Sequence, residues 1–343
     1  MIFICAACRG GTIASPSDAG AQTADAHPTV DGKAQPVDLG LPGSSDANPI
    51  ASADLTSSGP TDLGSLAIGP YTLTFNLDAG AFPYQTGQPS ALVYVPTGFS
   101  LTPPVDLVVY IHGHSNCVEN VVKETGGPCS PSGPIRGASN LLGQLENSKR
   151  NALLILPEVK FELASGDPGK LGAQNGLKNF LDELLPKLAP QVGALQLSDV
   201  GDILLFSHSG GYWAAAKMAT LGGVSTQEVH LLDSLYGYES TFQEWIAQNP
   251  ATHEAVPPLR RFFSVYTAGG GTDDNNIAMA TGAQSWSWLA AGARLYDDGT
   301  STWTDDQFLH GVMWKRSALS HSGVTLYYFQ KLLETSPLLV DKP

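Results

Sequence analysis

The 343-residue chain has few basic residues, few charges overall and no long apolar run. Its 18 lysine and arginine residues stand against 32 aspartate and glutamate residues, for a formal net charge of -14. A surface this acidic repels phosphate backbones, which argues against nucleic acid as a partner. No apolar segment approaches the roughly 20 residues of a membrane-spanning helix. Hydrophobic residues nevertheless make up 42% of the chain, enough for a sizeable core.

Cysteine is also scarce, with four residues at positions 5, 8, 117 and 129. Cys117 and Cys129 flank a short Gly/Pro-containing loop that a disulfide could close. Paired cysteines also bind zinc, but the sequence has no second pair with short spacing near this loop. Because disulfides persist only in oxidising compartments, we expect a Cys117–Cys129 bridge and an exported protein.

The N-terminal segment MIFICAAC is apolar but too short for a full signal peptide. Cys8 follows two alanines and precedes polar residues, as the lipidated cysteine of a bacterial lipoprotein does, and a start codon further upstream would complete that signal. The alternative is an N-terminus without such a role. Residues 9 to about 60 are rich in small and polar residues and cannot bury enough apolar area to fold. We therefore expect a leader and disordered spacer over 1–60, with Cys8 as the membrane tether.

Residues 61–343 are expected to form the folded domain, because short apolar runs alternate there with helical patterns. The predicted strands are Tyr71–Leu77, Ala91–Val95, Leu107–Ile111, Ala152–Leu156, Ile203–Phe206, Val229–Leu232, Phe262–Tyr266 and Val312–Trp314. The predicted helices are Ala138–Glu146, Leu177–Leu188, Tyr212–Leu221, Thr241–Gln248, Ile277–Ala291 and Val324–Leu333. This alternation indicates an α/β fold with a doubly wound, mostly parallel sheet. In such sheets the ligand site lies beyond the carboxyl ends of the strands.

The strongest chemical signal is Ser207-His208-Ser209-Gly210-Gly211, which stands between a predicted strand and a predicted helix. A sharp strand-to-helix turn exposes a nucleophilic serine and requires small residues two positions away on either side. Ser207 and Gly211 meet that requirement, which makes Ser209 the candidate nucleophile. The alternative is a helix N-cap, where serine is common.

A second loop follows the strand that ends at Ile111 and reads His112-Gly113-His114-Ser115-Asn116. In a hydrolase of this architecture, the loop after an early central strand supplies one oxyanion-binding N–H group, and the residue after the nucleophile supplies the other. His114 and Gly210 are therefore the candidate backbone donors. The H-x-H spacing also resembles metallo-β-lactamases, but the ligands expected next are missing. A purely structural loop held by the disulfide is a further alternative.

A serine nucleophile needs a histidine base, and this architecture places that base after the acid in the chain. His321 stands between the last predicted strand and the last helix, which is the expected position. His310 is the second candidate, and His253 lies in a polar segment beside prolines. A solvated surface histidine is the alternative to a catalytic one.

Two aspartates could orient that base. Asp233 follows a buried strand in the phrase LLDSLYG, whereas Asp273 follows the next strand in AGGGTDD. Most hydrolases of this architecture carry the acid at the position of Asp273. Three preceding glycines suggest that Asp273 lies in a mobile, solvated turn, so we favour Asp233 and keep Asp273 as the alternative acid.

Together these motifs resemble the α/β-hydrolase superfamily over roughly Ala91 to Leu333. The resemblance rests on IHG, SHSGG, LLDSLYG and the SHSG that begins at Ser320. More narrowly, the chain is similar to exported bacterial serine hydrolases, to secreted esterases and to polyhydroxybutyrate depolymerases. That resemblance implies hydrolysis of an ester in a small-molecule or polymer substrate, with an amide less directly implied, and no cofactor or metal.

Phe242 and Trp245 lie in a short insert that could form an aromatic cap over the site. A different class of function would be a surface binding protein on a hydrolase scaffold that has lost its chemistry. The presence of Ser, Asp and His in the expected order favours the enzyme.

Overall fold

The computed structural model describes residues 68–82, 88–160, 166–299 and 304–343. The predicted leader and spacer over 1–60, the domain boundary at residue 61 and the candidate anchor Cys8 lie outside these residues and remain predictions. Within the described ranges, no helix is long and apolar enough to cross a membrane.

The described residues form one mixed, mostly parallel sheet in the order β1-β2-β4-β3-β5-β6-β7-β9-β8. The strands β1 and β2 pair antiparallel, as do β2 and β4, and all other neighbours run parallel. The strands are β1 (Tyr71–Phe75), β2 (Ala91–Val95), β3 (Val105–Ile111), β4 (Ala152–Pro157), β5 (Val200–His208), β6 (Glu228–Leu232), β7 (Arg261–Thr267), β8 (Arg294–Asp297) and β9 (Val312–Ser317).

The central strands are continuous apolar runs because both faces of the sheet are covered. In β3, Leu107, Val109 and Ile111 pack into one core cluster, whereas Val108 and Tyr110 pack into the other. Successive side chains of a strand point to opposite faces, so a strand buried on both sides has no polar alternation. The predicted doubly wound α/β fold is confirmed.

Helices cover the two faces from opposite sides. Buried residues of α3, α5, α6 and α8 join the first core cluster, and those of α1, α2 and α9 join the second. The helices are α1 (Val118–Val121), α2 (Leu141–Ser148), α3 (Gly176–Lys187), α4 (Ala189–Val192), α5 (Tyr212–Leu221), α6 (Glu239–Ala247), α7 (Pro250–Glu254), α8 (Asp273–Ala283) and α9 (His321–Glu334).

Two features of the C-terminal third differ from the sequence prediction. The helix α8 begins at Asp273 and ends at Ala283, so the prediction of Ile277–Ala291 was wrong at both ends. Asp273 and Asp274 in its first turn interact favourably with the helix dipole. The edge strand β8 was not predicted because its residues are only half-buried and include the charged Arg294 and Asp297.

The expected aromatic cap is absent from the site. Phe242 and Trp245 lie on the buried face of α6 and belong to the core. Phe242 packs against Phe262 of β7 with ring centroids 5.7 Å apart. The guanidinium of Arg260 lies 4.0 Å from the centre of the Trp245 ring. The insert therefore extends the core, and its aromatic residues do not face a substrate.

Candidate active site

Ser209 occupies a sharp turn between β5 and α5. Its φ angle of 51° lies in the left-handed region, which non-glycine residues rarely adopt and which is common at functional sites. The close packing around this turn explains its glycines. A Cβ atom at Gly113 would lie 2.6 Å from Ser209 Cβ, and one at Gly211 would lie 2.9 Å from the carbonyl oxygen of Ile111. The turn thus has the geometry of a nucleophile elbow.

Ser207, which stands where such elbows usually carry glycine, has a structural partner. Its hydroxyl donates to Ser234 Oγ at 2.9 Å, and the Ser234 hydroxyl donates to the carbonyl oxygen of Ser209 at 2.8 Å. Ser207 and Ser234 are both fully buried. This relay ties the elbow to the segment after β6, which also carries Asp233.

The order of the strands now places three candidate residues at one edge of the sheet. Ser209 follows β5, Asp233 follows β6 and His321 follows the loop after β9, each beyond the carboxyl end of a parallel strand. The chain has an α/β fold with a mostly parallel sheet. In such a sheet the ligand site lies at that edge.

Asp233 is buried and fully engaged in hydrogen bonds. The hydroxyl and the N–H of Thr267 donate to its two carboxylate oxygens at 2.7 and 3.2 Å, and the Thr272 hydroxyl also donates to it. Burial alone would raise the pKa of this carboxyl. The hydrogen bonds from His321, Thr272 and Thr267 outweigh burial and lower the pKa to about 2. Asp233 is therefore a carboxylate at neutral pH.

His321 is the first residue of α9, and its Nδ1 atom lies 2.6 Å from Asp233 Oδ2. A carboxylate can only accept, so Nδ1 must carry a proton, and the other nitrogen of a neutral ring is then free to take one. The ring also packs against His208, the residue before Ser209, with centroids 4.6 Å apart. Burial, followed by the neighbouring His321, lowers the pKa of His208 to about 4.

Tyr236 completes the cluster and was not singled out from the sequence. Its side chain makes a polar contact with that of Ser209, and its ring lies edge-on to His321 with centroids 6.5 Å apart. Burial and the charge of Asp233 raise its pKa, although the contact with Ser209 acts the other way. Among the described residues, no hydrogen bond joins Ser209 to His321. Such bonds often form only when substrate is bound.

Asp273, the alternative acid, makes its contacts elsewhere. Its Oδ2 atom accepts from Arg316 Nη2 at 2.8 Å and from the N–H of Gly269 at 2.7 Å. The residue is 9% exposed and begins α8, so the expected mobile, solvated turn was wrong. A helix start stabilised by Arg316 explains why an aspartate stands there.

The two other candidates for the base, His310 and His253, are not part of this cluster. His310 precedes the amino end of β9, and its Nδ1 atom lies 3.0 Å from the carbonyl oxygen of Gln307. His253 is buried in α7, and its Nδ1 atom lies 3.2 Å from the carbonyl oxygen of Gly311. The polar, Pro-flanked segment therefore contains a buried histidine, which contacts the residue directly before β9.

The loop with the candidate donor His114 lies beside Ser209, because a Cβ atom at Gly113 would lie 2.6 Å from Ser209 Cβ. Cys117 and Cys129 form the predicted disulfide, with their Cα atoms 5.7 Å apart. Gly166 approaches the other candidate donor, since a Cβ at this position would lie 2.9 Å from the carbonyl oxygen of Gly210. No group of three metal-ligating side chains occurs in the described ranges.

No family model and no curated protein matches the chain. Several solved structures resemble it, among them the following three. A feruloyl esterase module from Clostridium thermocellum, complexed with sinapinate, has a TM-score of 0.49 and 12% identity, covering 78% of this chain and 88% of the module. An S-formylglutathione hydrolase from Staphylococcus aureus has a TM-score of 0.44 and 10% identity, covering 81% and 100%. One from Agrobacterium tumefaciens has a TM-score of 0.44 and 12% identity, covering 78% and 94%.

Proposed function

We propose that this protein is a serine hydrolase that cleaves carboxylic esters through an acyl-enzyme on Ser209. The observation that carries the proposal is the hydrogen bond between Asp233 and His321, formed beside a serine in a nucleophile elbow. A serine in a turn before a helix would by itself be explained as a helix start. A histidine oriented by a buried carboxylate next to that serine is the arrangement that activates a hydroxyl.

Each residue then has a defined role. His321 takes the proton of the Ser209 hydroxyl as the oxygen attacks the carbonyl carbon, and returns that proton to the leaving alcohol. Asp233 keeps the imidazole in the required tautomer and stabilises it as a cation. A water molecule, deprotonated by the same histidine, then attacks the acyl-enzyme and releases the acid and Ser209. The N–H groups of His114 and Gly210 bind the oxygen that becomes negative in both steps.

We also propose that the protein is exported. The support is the Cys117–Cys129 disulfide, because such bonds are rare in reducing compartments. Anchoring through Cys8 is part of the same proposal and rests on the sequence alone.

Turnover of short-chain nitrophenyl esters and of matching anilides tests the proposed reaction. We expect the full-length protein to hydrolyse the esters, and Ser209→Ala to reduce turnover to the residual rate left by binding and the oxyanion-binding N–H groups. Ester hydrolysis that Ser209→Ala leaves unchanged would refute the proposal. Faster cleavage of the anilides than of the esters would change the proposed substrate class from esters to amides.

A further inference from the structure

His112 and Glu158 form a buried pair that the proposed reaction does not use. His112 follows the end of β3, and Glu158 follows the end of the adjacent parallel strand β4. Their side chains are almost wholly buried, and His112 Nε2 lies 2.9 Å from Glu158 Oε1. Two ionisable groups removed from water cost free energy unless they are paired. The cost of burying this pair beside the loop that contains His114 suggests that the pair has a role there.

The contacts of the pair indicate a protonated His112. Its Nε2 atom lies near two groups, Glu158 Oε1 at 2.9 Å and the N–H of Val159 at 3.3 Å. Nε2 can donate to the carboxylate only when protonated, and can accept from Val159 only when it is not. Glu158 Oε1 is buried and has no other partner in the described part of the chain, which favours donation. Burial lowers the pKa of His112, but the charge and hydrogen bond of Glu158 outweigh it and raise the pKa.

The other ring nitrogen reaches the loop that touches the nucleophile. His112 Nδ1 lies 3.0 Å from the carbonyl oxygen of Gly113, which also accepts from the N–H of Asn116 at 3.2 Å. Two donors thus fix one carbonyl. Its residue, Gly113, is the one whose missing side chain lets the loop approach Ser209.

Glu158 holds the same loop at its far end. Its Oε2 atom accepts from the N–H of Val118 at 2.9 Å, directly after the disulfide-bonded Cys117. One carboxylate therefore ties together His112, where the loop begins, and Val118, where α1 begins. This arrangement leaves the loop little freedom to shift relative to the sheet.

The planarity of the peptide bond links these contacts to the candidate donor. In a trans peptide the C=O of one residue and the N–H of the next point in opposite directions. Holding the Gly113 carbonyl toward the buried His112 ring therefore turns the His114 N–H away from it, to the exposed side of the loop. In the described residues, nothing accepts a hydrogen bond from this N–H, which leaves it available to a substrate.

We infer that His112 is a positioning residue of the oxyanion site: its Nδ1–H holds the Gly113 peptide so that the His114 N–H is aimed at the developing oxyanion. The inference rests on the proposed function. Glu158 acts only through its contact with His112 Nε2 and does not itself contact the substrate. An oxyanion-binding group contributes to the transition state more than to the bound substrate, so its misorientation should lower kcat more than it raises KM.

Two double variants of the full-length protein separate this role from simple packing. Both contain Glu158→Gln, so that neither leaves a buried carboxylate unpaired. His112→Asn retains an amide donor at the place of Nδ1, whereas His112→Gln carries its amide further out, toward the place of Nε2. We expect His112→Asn to keep kcat within about threefold of the parent and His112→Gln to lower it by about tenfold to a hundredfold. KM should change little in both.

Affinity for phenylboronic acid provides a second readout, since this compound forms a tetrahedral adduct with a nucleophilic serine. It should weaken in the His112→Gln variant by about the factor lost in kcat. Equal kcat losses in both variants, tracking a loss of melting temperature, would overturn the inference. Should the His112→Gln variant not fold, a folded His112→Asn variant that has lost more than about tenfold in kcat overturns it as well. The Ser209→Ala variant is assayed in parallel, and its full activity, unlike any result with the His112 variants, would refute the proposed function itself.

Discussion

Oδ2 of Asp233 and Nδ1 of His321 are 2.6 Å apart although 88 positions separate the two residues in the chain. The acid of this pair follows β6, one strand before the position of Asp273 after β7. The turn at Asp233 has a φ angle of 49°, so both Asp233 and Ser209 occupy left-handed turns at the ends of adjacent parallel strands. The Ser207–Ser234 relay connects these two turns.

Asp233→Asn should reduce kcat on a short-chain nitrophenyl ester by a factor on the order of 10⁴. An amide in place of the carboxylate favours the wrong tautomer of His321 and cannot support its positive charge. The measurement is steady-state turnover by the purified full-length variant, with folding checked by circular dichroism.

Asp273→Asn is the matched control, because it makes the same chemical change in the aspartate bonded to Arg316. We expect this variant to lose stability from a weakened pair and to retain most of its kcat. Loss of activity in Asp273→Asn, with Asp233→Asn still active, would show that the acid has been assigned to the wrong strand end.

The low pKa of Asp233 predicts a specific dependence of stability on pH. Its pKa is about 2 in the folded protein, whereas an aspartate in an unfolded chain has a pKa of about 3.9. Because the folded value is lower, the carboxylate contributes stability that is present above about pH 4 and is lost as the pH falls toward 2. The free energy of unfolding of the parent, measured in urea, should exceed that of Asp233→Asn by an amount that shrinks across this interval. A difference independent of pH would contradict the prediction.

A buried network at the opposite end of the sheet should matter for stability alone. Arg261 donates two hydrogen bonds to Glu228, at 2.6 and 2.8 Å, at the amino ends of β7 and β6. Burial raises the pKa of Glu228, but Arg261 and His230 outweigh it and lower the pKa to about 2. Arg261→Met leaves this carboxylate short of its main partner and should cost about 3–5 kcal/mol.

Lys178→Ala is the control for that variant, since Lys178 forms an exposed ion pair with Asp182. Exposed pairs of this kind contribute less than about 1 kcal/mol. The free energy of unfolding in urea should therefore separate the two variants clearly. The kcat of the Arg261→Met protein should stay near that of the parent at a temperature where it is folded. A large fall in kcat would show that the network influences the site.

Replacing both Cys117 and Cys129 by serine should destabilise the protein by about 2–4 kcal/mol, because the bridge restricts the unfolded chain. Denaturant unfolding of this variant and the parent measures the difference. Intact-mass analysis of the parent should find the two thiols joined, and free thiols at both positions would contradict the bridge.

The sequence predicted the parts of the fold that local patterns determine. Apolar runs such as Ala91–Val95 and the helix Tyr212–Leu221 have the predicted bounds, because a strand buried on both faces and a helix after a sharp turn leave strong signals. The sharp turn at Ser209 was predictable for the same reason, because small residues surround this position between a strand and a helix.

Features that depend on distant contacts could not be predicted in this way. Tyr236 carries no motif of its own, and only the folded chain brings it to Ser209. His112 and Glu158 come together because β3 and β4 are neighbours in the sheet. The order of the strands cannot be predicted from the sequence of either strand. The buried Asp273 was predicted to be solvated because its partner Arg316 lies on β9, too far along the chain for local sequence patterns to indicate the contact.

The central claim is that Ser209 is an activated nucleophile, and covalent labelling tests it most directly. A fluorophosphonate reacts with activated serines, and peptide mass spectrometry locates the modified residue. We expect one label per molecule, on Ser209, with labelling abolished in Ser209→Ala and strongly slowed in His321→Ala. Because residues of one catalytic unit are not additive, the esterase activity of the double variant should be scarcely lower than that of either single variant. A parent protein that stays unlabelled, or one labelled equally well after Ser209→Ala, would contradict the account.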